Sequence, residues 1–134
     1  MRNNWERKRS ENKTPYRDTE EFEMKEYKGI IVEESLENIR IINDLEVIKV
    51  RISKEEPVWH LYTVKVSKED IEKLSRNIKP KWYMHFWKGR EIIAIFKNKK
   101  FEFNFDDKST WKPAVEYGLS IGIPKEQLDF ELNN

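Results

Sequence analysis

The two histidines are the side chains of this 134-residue sequence whose ordinary titration falls near neutral pH, and both sit among aromatic residues. His60 lies in Trp59-His60-Leu61-Tyr62, and His85 lies in Lys81-Trp82-Tyr83-Met84-His85-Phe86-Trp87-Lys88. A neutral imidazole can take a proton as general base or ligate a metal. If the two met in space, Glu33 or Glu34 could complete a two-histidine, one-carboxylate set. No HExxH or comparable metal spacing occurs, and a strand histidine among aromatics is also an ordinary packing residue. The expectation is therefore a protein without metal or cofactor.

The aromatics point to binding. Side chains alternate across an extended strand, so Tyr83, His85 and Trp87 share one side while Trp82, Met84 and Phe86 share the other. By the same rule His60 and Tyr62 lie opposite Trp59 and Leu61. A sheet covered by helices on one face leaves such a surface to meet a ligand, a protein, a second subunit or another part of the chain. Trp59, His60, Tyr62, Tyr83, His85 and Trp87 are the candidate ligand-binding residues. The expected function is a small non-enzymatic module that holds a small molecule or a protein partner, or pairs as a homodimer. An enzyme using His60 or His85 as acid–base, assisted by Tyr83 or by a carboxylate of Glu33 or Glu34, is the alternative from another class. A third is single-stranded nucleic acid, whose bases stack on rings while Lys81, Lys88 and Arg90 meet phosphates. A net charge of +1 and the lack of an RNP1 pattern make nucleic acid the weakest of the three.

Composition narrows the field. With no cysteine, the chain has no disulfide, no thiolate nucleophile and no cysteine-based zinc site. There is no P-loop, no GxGxxG after a strand and no GxSxG elbow. Charged residues make up 38% of the sequence, but 13% aromatic residues and clustered apolar positions argue for a packed core rather than disorder. The start Met1-Arg2-Asn3-Asn4-Trp5 lacks the apolar run of a secretory signal, and no stretch reaches the length of a membrane span. A cytoplasmic location without membrane partners is expected.

The elements that must position these residues follow from periodicity. Residues 1–27 pass from Arg7-Lys8-Arg9 to Glu20, Glu21 and Glu23 without a repeat and read as a flexible charged tail, leaving residues 28–134 as one domain. Ile30-Ile31-Val32 forms a short strand, after which Ser35 is expected to cap a helix through Asn43. Glu46 to Ile52 alternates as a half-buried strand with Ile48, Val50 and Ile52 on one side, and Val58 to Val66 is its hairpin partner. Ser67 and Asp70 open a helix with Ile71, Leu74 and Ile78 on its buried stripe, ending before Pro80. Lys81 to Trp87, Glu91 to Phe96 and Phe101 to Phe105 form a meander, with turns at Lys88-Gly89-Arg90 and Asn98-Lys99. A last helix begins near Asp106-Asp107-Lys108-Ser109 and stops before Pro124, with Leu128 and Phe130 docking behind it. The fold class is α+β: an open, mainly antiparallel sheet of five or six strands with two or three helices on one face, for which a ferredoxin-like arrangement is a candidate.

The segments Lys28–Leu36 (KGIIVEESL), Trp59–Val64 (WHLYTV) and Tyr117–Phe130 (YGLSIGIPKEQLDF) resemble a group of small prokaryotic proteins of undetermined function. The resemblance spans about Lys28 to Phe130. It implies a self-contained domain to which the N-terminal tail is an extension, and it implies no activity, cofactor or catalytic residue.

Overall fold

The structure, a computed structural model, describes residues 24–130. The tail expected over residues 1–27 lies almost wholly outside them, and Tyr27 already belongs to the first strand. Six strands, β1 (Tyr27–Val32), β2 (Glu46–Ile52), β3 (His60–Val66), β4 (Met84–Lys88), β5 (Glu91–Phe96) and β6 (Lys99–Asn104), form one sheet in the order β2-β3-β1-β4-β5-β6. Every neighbouring pair is antiparallel. Helices α1 (Lys68–Asn77) and α2 (Lys112–Ser120) and several short 3₁₀ turns complete an α+β fold.

Both β3 and β4 run antiparallel to β1, so they are parallel to each other with β1 inserted between them, and α1 makes the crossover. Three strands, a helix, three strands and a helix is a different connectivity from the ferredoxin-like βαββαβ. Helix α1 forms where the sequence places a capping box: the Ser67 hydroxyl accepts from the Asp70 N–H and the Asp70 carboxylate accepts from the Ser67 N–H. Ser67→Ala should lower the unfolding free energy by about 1 kcal/mol; a urea midpoint equal to that of wild type would show that the cap is dispensable. Ile71, Leu74 and Ile78 of this segment bury against Ile31, Val64, Phe86 and Ile95 on one face of the sheet.

The second helix lies on the other face. Trp111, Ala114 and Phe130 pack on Ile92, Ala94 and Phe103, and Ile123 and Leu128 pack on Phe96. The expected one-sided arrangement of helices is thus replaced by cover on both faces. The reason is β5, whose Ile92-Ile93-Ala94-Ile95-Phe96 run is apolar on both sides and fully buried.

Three local expectations are also corrected. Ser35 caps no helix: it ends a 3₁₀ turn (Glu33–Ser35), its buried hydroxyl donates to the Val32 carbonyl, and Leu36 bridges to Ile78 at the end of α1. The next helical turn, Ile39–Asp44, is 3₁₀ and capped by Asn38. Strand β2 is exposed along its whole length because, among the described residues, it is the sheet edge with no helix above it, and a bulge at Ile48 puts Val47 on the same side as Val50 and Ile52. The strand expected from Lys81 begins only at Met84, since Lys81 adopts φ 69° in the turn that leaves Pro80. The two hairpin loops are the two-residue pairs Gly89-Arg90 and Lys97-Asn98, with Gly89 at φ 59° and Asn98 at φ 57°.

Candidate functional site

On the α2 face, between β1 and the C-terminal segment, the sheet is left open by a pocket of about 430 Å³. Ile30 and Val32 of β1, opposite in parity to the core residue Ile31, form its floor beside His85 and Trp87 of β4. Its walls are Trp59, just before β3, and Trp82 and Tyr83, in the turn before β4, with Lys81, Ile123 and Gln127 at the margin. Trp59 and Trp82 meet edge to face with ring centroids 5.6 Å apart. His85 lies 5.6 Å from Trp87 and 5.6 Å from Phe130. The Tyr83 hydroxyl donates to the Gln127 carbonyl, and burial pushes its pKa up. Trp87 is only 3% exposed, and its indole N–H has no hydrogen-bond partner among the described residues. An unsatisfied buried donor of this kind costs about 1–3 kcal/mol. A larger depression of about 740 Å³, between α2 and the C-terminal segment, is lined mostly by charged side chains such as Lys108, Glu116 and Asp129.

Of the six candidates from the sequence, Trp59, Tyr83, His85 and Trp87 are brought together here. Part of the surface they were expected to expose is covered by the chain itself, through Ile123, Gln127 and Phe130. Trp82 packs against the core that holds Met84 and Phe86, as strand parity has it, but it precedes the strand and also walls the pocket. Ile30 and Val32 were legible only as part of a short apolar strand, and their place beside His85 depended on the strand order.

His60 and Tyr62 form a different cluster on the opposite face. The β1–β3 register pairs Ile31 with Tyr62 and Val32 with Leu61, so the chain leaving β1 carries Glu33 and Glu34 to the start of β3. Glu34 Oε1 accepts the His60 backbone N–H at 3.0 Å, and Glu34 Oε2 lies 2.6 Å from His60 Nδ1. The Tyr62 hydroxyl donates to Glu33 Oε1 at 2.7 Å. Desolvation works to raise the Glu34 pKa, but the backbone and imidazole hydrogen bonds from His60 outweigh it and hold it below the usual range. The hydrogen bond to Glu34 raises the His60 pKa against a smaller desolvation effect, and the bond to Glu33 raises that of Tyr62.

The imidazoles do not converge. His60 shares a face with Tyr62 and with Val64 of the α1 core, while His85 neighbours the core residue Phe86 and points to the other face, one intervening strand away. The two-histidine, one-carboxylate set is not formed, nor is an active site that needs both rings. What the structure assembles instead is one histidine with two carboxylates: a donor atom from each of Glu33, Glu34 and His60, all within 4.8 Å of one another. The signal available in the sequence was a Glu-Glu pair at the exit of one strand and a histidine at the entry of another.

Compared with known protein families, curated proteins and solved structures, the chain matches none. No helix among the described residues is long and apolar enough to cross a membrane.

Proposed function

We propose that this protein is a small-molecule-binding domain whose ligand occupies the pocket walled by Trp59, Trp82, Tyr83, His85 and Trp87. The observation that carries this reading is the convergence of five aromatic or imidazole rings from two separate chain segments on one cavity of about 430 Å³. Ligand pockets are typically of this size, mostly apolar, with a few polar groups that fix orientation. Here those groups are His85, Gln127 and, at the rim, Lys81. Rings on several sides suit a flat apolar or aromatic body, and Lys81 suits an anionic substituent on it. Binding rather than catalysis is favoured because the acid–base cluster of His60, Glu33 and Glu34 lies on the opposite face, which leaves His85 as the pocket's imidazole.

The test uses anilinonaphthalene sulfonate, a flat aromatic anion, titrated against the full chain and followed by tryptophan quenching. Saturable binding by wild type is expected, weakened at least tenfold in a Trp59→Ala/Trp82→Ala double variant and also weakened in Lys81→Ala. Because loosely folded chains bind this dye through exposed core, each variant is checked for an unchanged cooperative urea transition. Equal binding by the folded double variant, or none by wild type, would sink the proposal.

A further inference from the structure

We propose that Glu33, Glu34 and His60 form a binding site for a divalent transition-metal ion of the Zn²⁺ class, through one oxygen of each carboxylate and the imidazole Nδ1. The site lies on the face opposite the aromatic pocket and is independent of the pocket's function.

The donor set comes first. Three donor atoms from two chain segments fall within 4.8 Å of one another, close enough for one ion to reach all three. Imidazole with carboxylates suits zinc and its first-row neighbours, whereas magnesium and calcium prefer oxygen alone. Charge comes second. Two carboxylates are held side by side, and among the described residues neither is paired with a lysine or arginine; their partners are His60 and Tyr62. Like charges at this separation are unfavourable unless a cation joins them. Even a protonated His60 leaves one negative charge over, and a divalent ion removes it.

The third consideration is preorganisation. The Tyr62 hydroxyl fixes Glu33, the His60 backbone N–H fixes Glu34, and Ser35 pins the 3₁₀ turn that carries both carboxylates to Val32. Such outer hydrogen bonds orient ligands before the ion arrives. Metal–ligand bonds of about 2.0–2.1 Å in tetrahedral geometry separate the donors by about 3.3 Å. The Nδ1–Oε2 distance of 2.6 Å therefore opens by less than an ångström as the ion displaces the proton shared there. The His60 and Glu34 side chains are 41% and 33% exposed, so three protein ligands leave coordination positions open to water.

Isothermal titration of ZnCl₂ into the full chain, stripped with a chelator, tests the site. One ion per chain is expected, with affinity reduced at least tenfold in His60→Ala and in Glu33→Gln/Glu34→Gln, and about tenfold in Tyr62→Phe. His85→Asn, on the other face, should bind as wild type does. Zinc should raise the melting temperature of wild type and of His85→Asn but not of His60→Ala, which separates loss of the site from loss of the fold. Absence of saturable binding by wild type, retention of it in His60→Ala, or its loss in His85→Asn would overturn the assignment. Equal affinity for MgCl₂ would overturn the transition-metal class.

Discussion

Phe130→Ala is expected to lower the unfolding free energy by about 4 kcal/mol, a large share of the roughly 5–15 kcal/mol that holds a domain of this size together. Phe130 is fully buried although it stands near the end of the chain. Its ring centroid lies 5.0 Å from Phe103, 5.4 Å from Trp111, 5.5 Å from Tyr83 and 5.6 Å from His85. It therefore joins β6, the turn before α2, and β4 in one aromatic cluster. Phe130→Leu keeps most of the volume and should cost less than about 1.5 kcal/mol. Urea denaturation followed by near-ultraviolet circular dichroism reads both values. A Phe130→Ala midpoint equal to that of wild type would mean that the C-terminal segment does not dock as described.

Gly29→Ala should cost about 3 kcal/mol, at the upper end for overpacking a core. The glycine is needed for space, since a Cβ there would stand 2.2 Å from Cδ1 and 2.7 Å from Cε1 of Phe86, and 3.0 Å from the His85 carbonyl oxygen. Gly29 and Phe86 are paired across β1 and β4, and the Phe86 ring fills the place of the missing side chain with no exposed surface of its own. The ring cannot retreat, because Ile71, Leu74 and Ile93 belong to the same closed core. Gly29→Ala/Phe86→Leu removes most of the clash, so the double variant should lose less than the sum of the singles, with a coupling of about 1–2 kcal/mol. Strict additivity would show that the alanine methyl is accommodated elsewhere.

Elements governed by neighbours in sequence were legible. The Ser67/Asp70 capping box, the stripe Ile71, Leu74 and Ile78, and the meander with its two tight turns all rest on residues a few positions apart, where hydrogen-bonding and periodicity rules act directly. What depended on distant chain segments was not. The β2 bulge shifts the facing of Val47 by one residue and leaves no trace in an alternating pattern. The unbroken run Ile92–Phe96 did carry the message that both faces of the sheet are covered, and reading it only as one strand of a meander concealed the second layer. For the candidate sites, alternation correctly separated Trp59 from His60 and grouped His85 with Trp87. The insertion of β1 between β3 and β4 then decided that the two histidines never meet and that Glu33 and Glu34 belong with His60 alone.

The central position of β1 also bears on how the chain is made. It is the first of the six described strands in chain order, yet both of its edges are satisfied by strands that come much later: β3 on one side and, beyond α1 in sequence, β4 on the other. The meander β4-β5-β6 closes by steps between adjacent segments, whereas each rung of β1 closes a long loop. A nascent chain ending anywhere before Lys88 therefore carries its future central strand with the β4-side edge open.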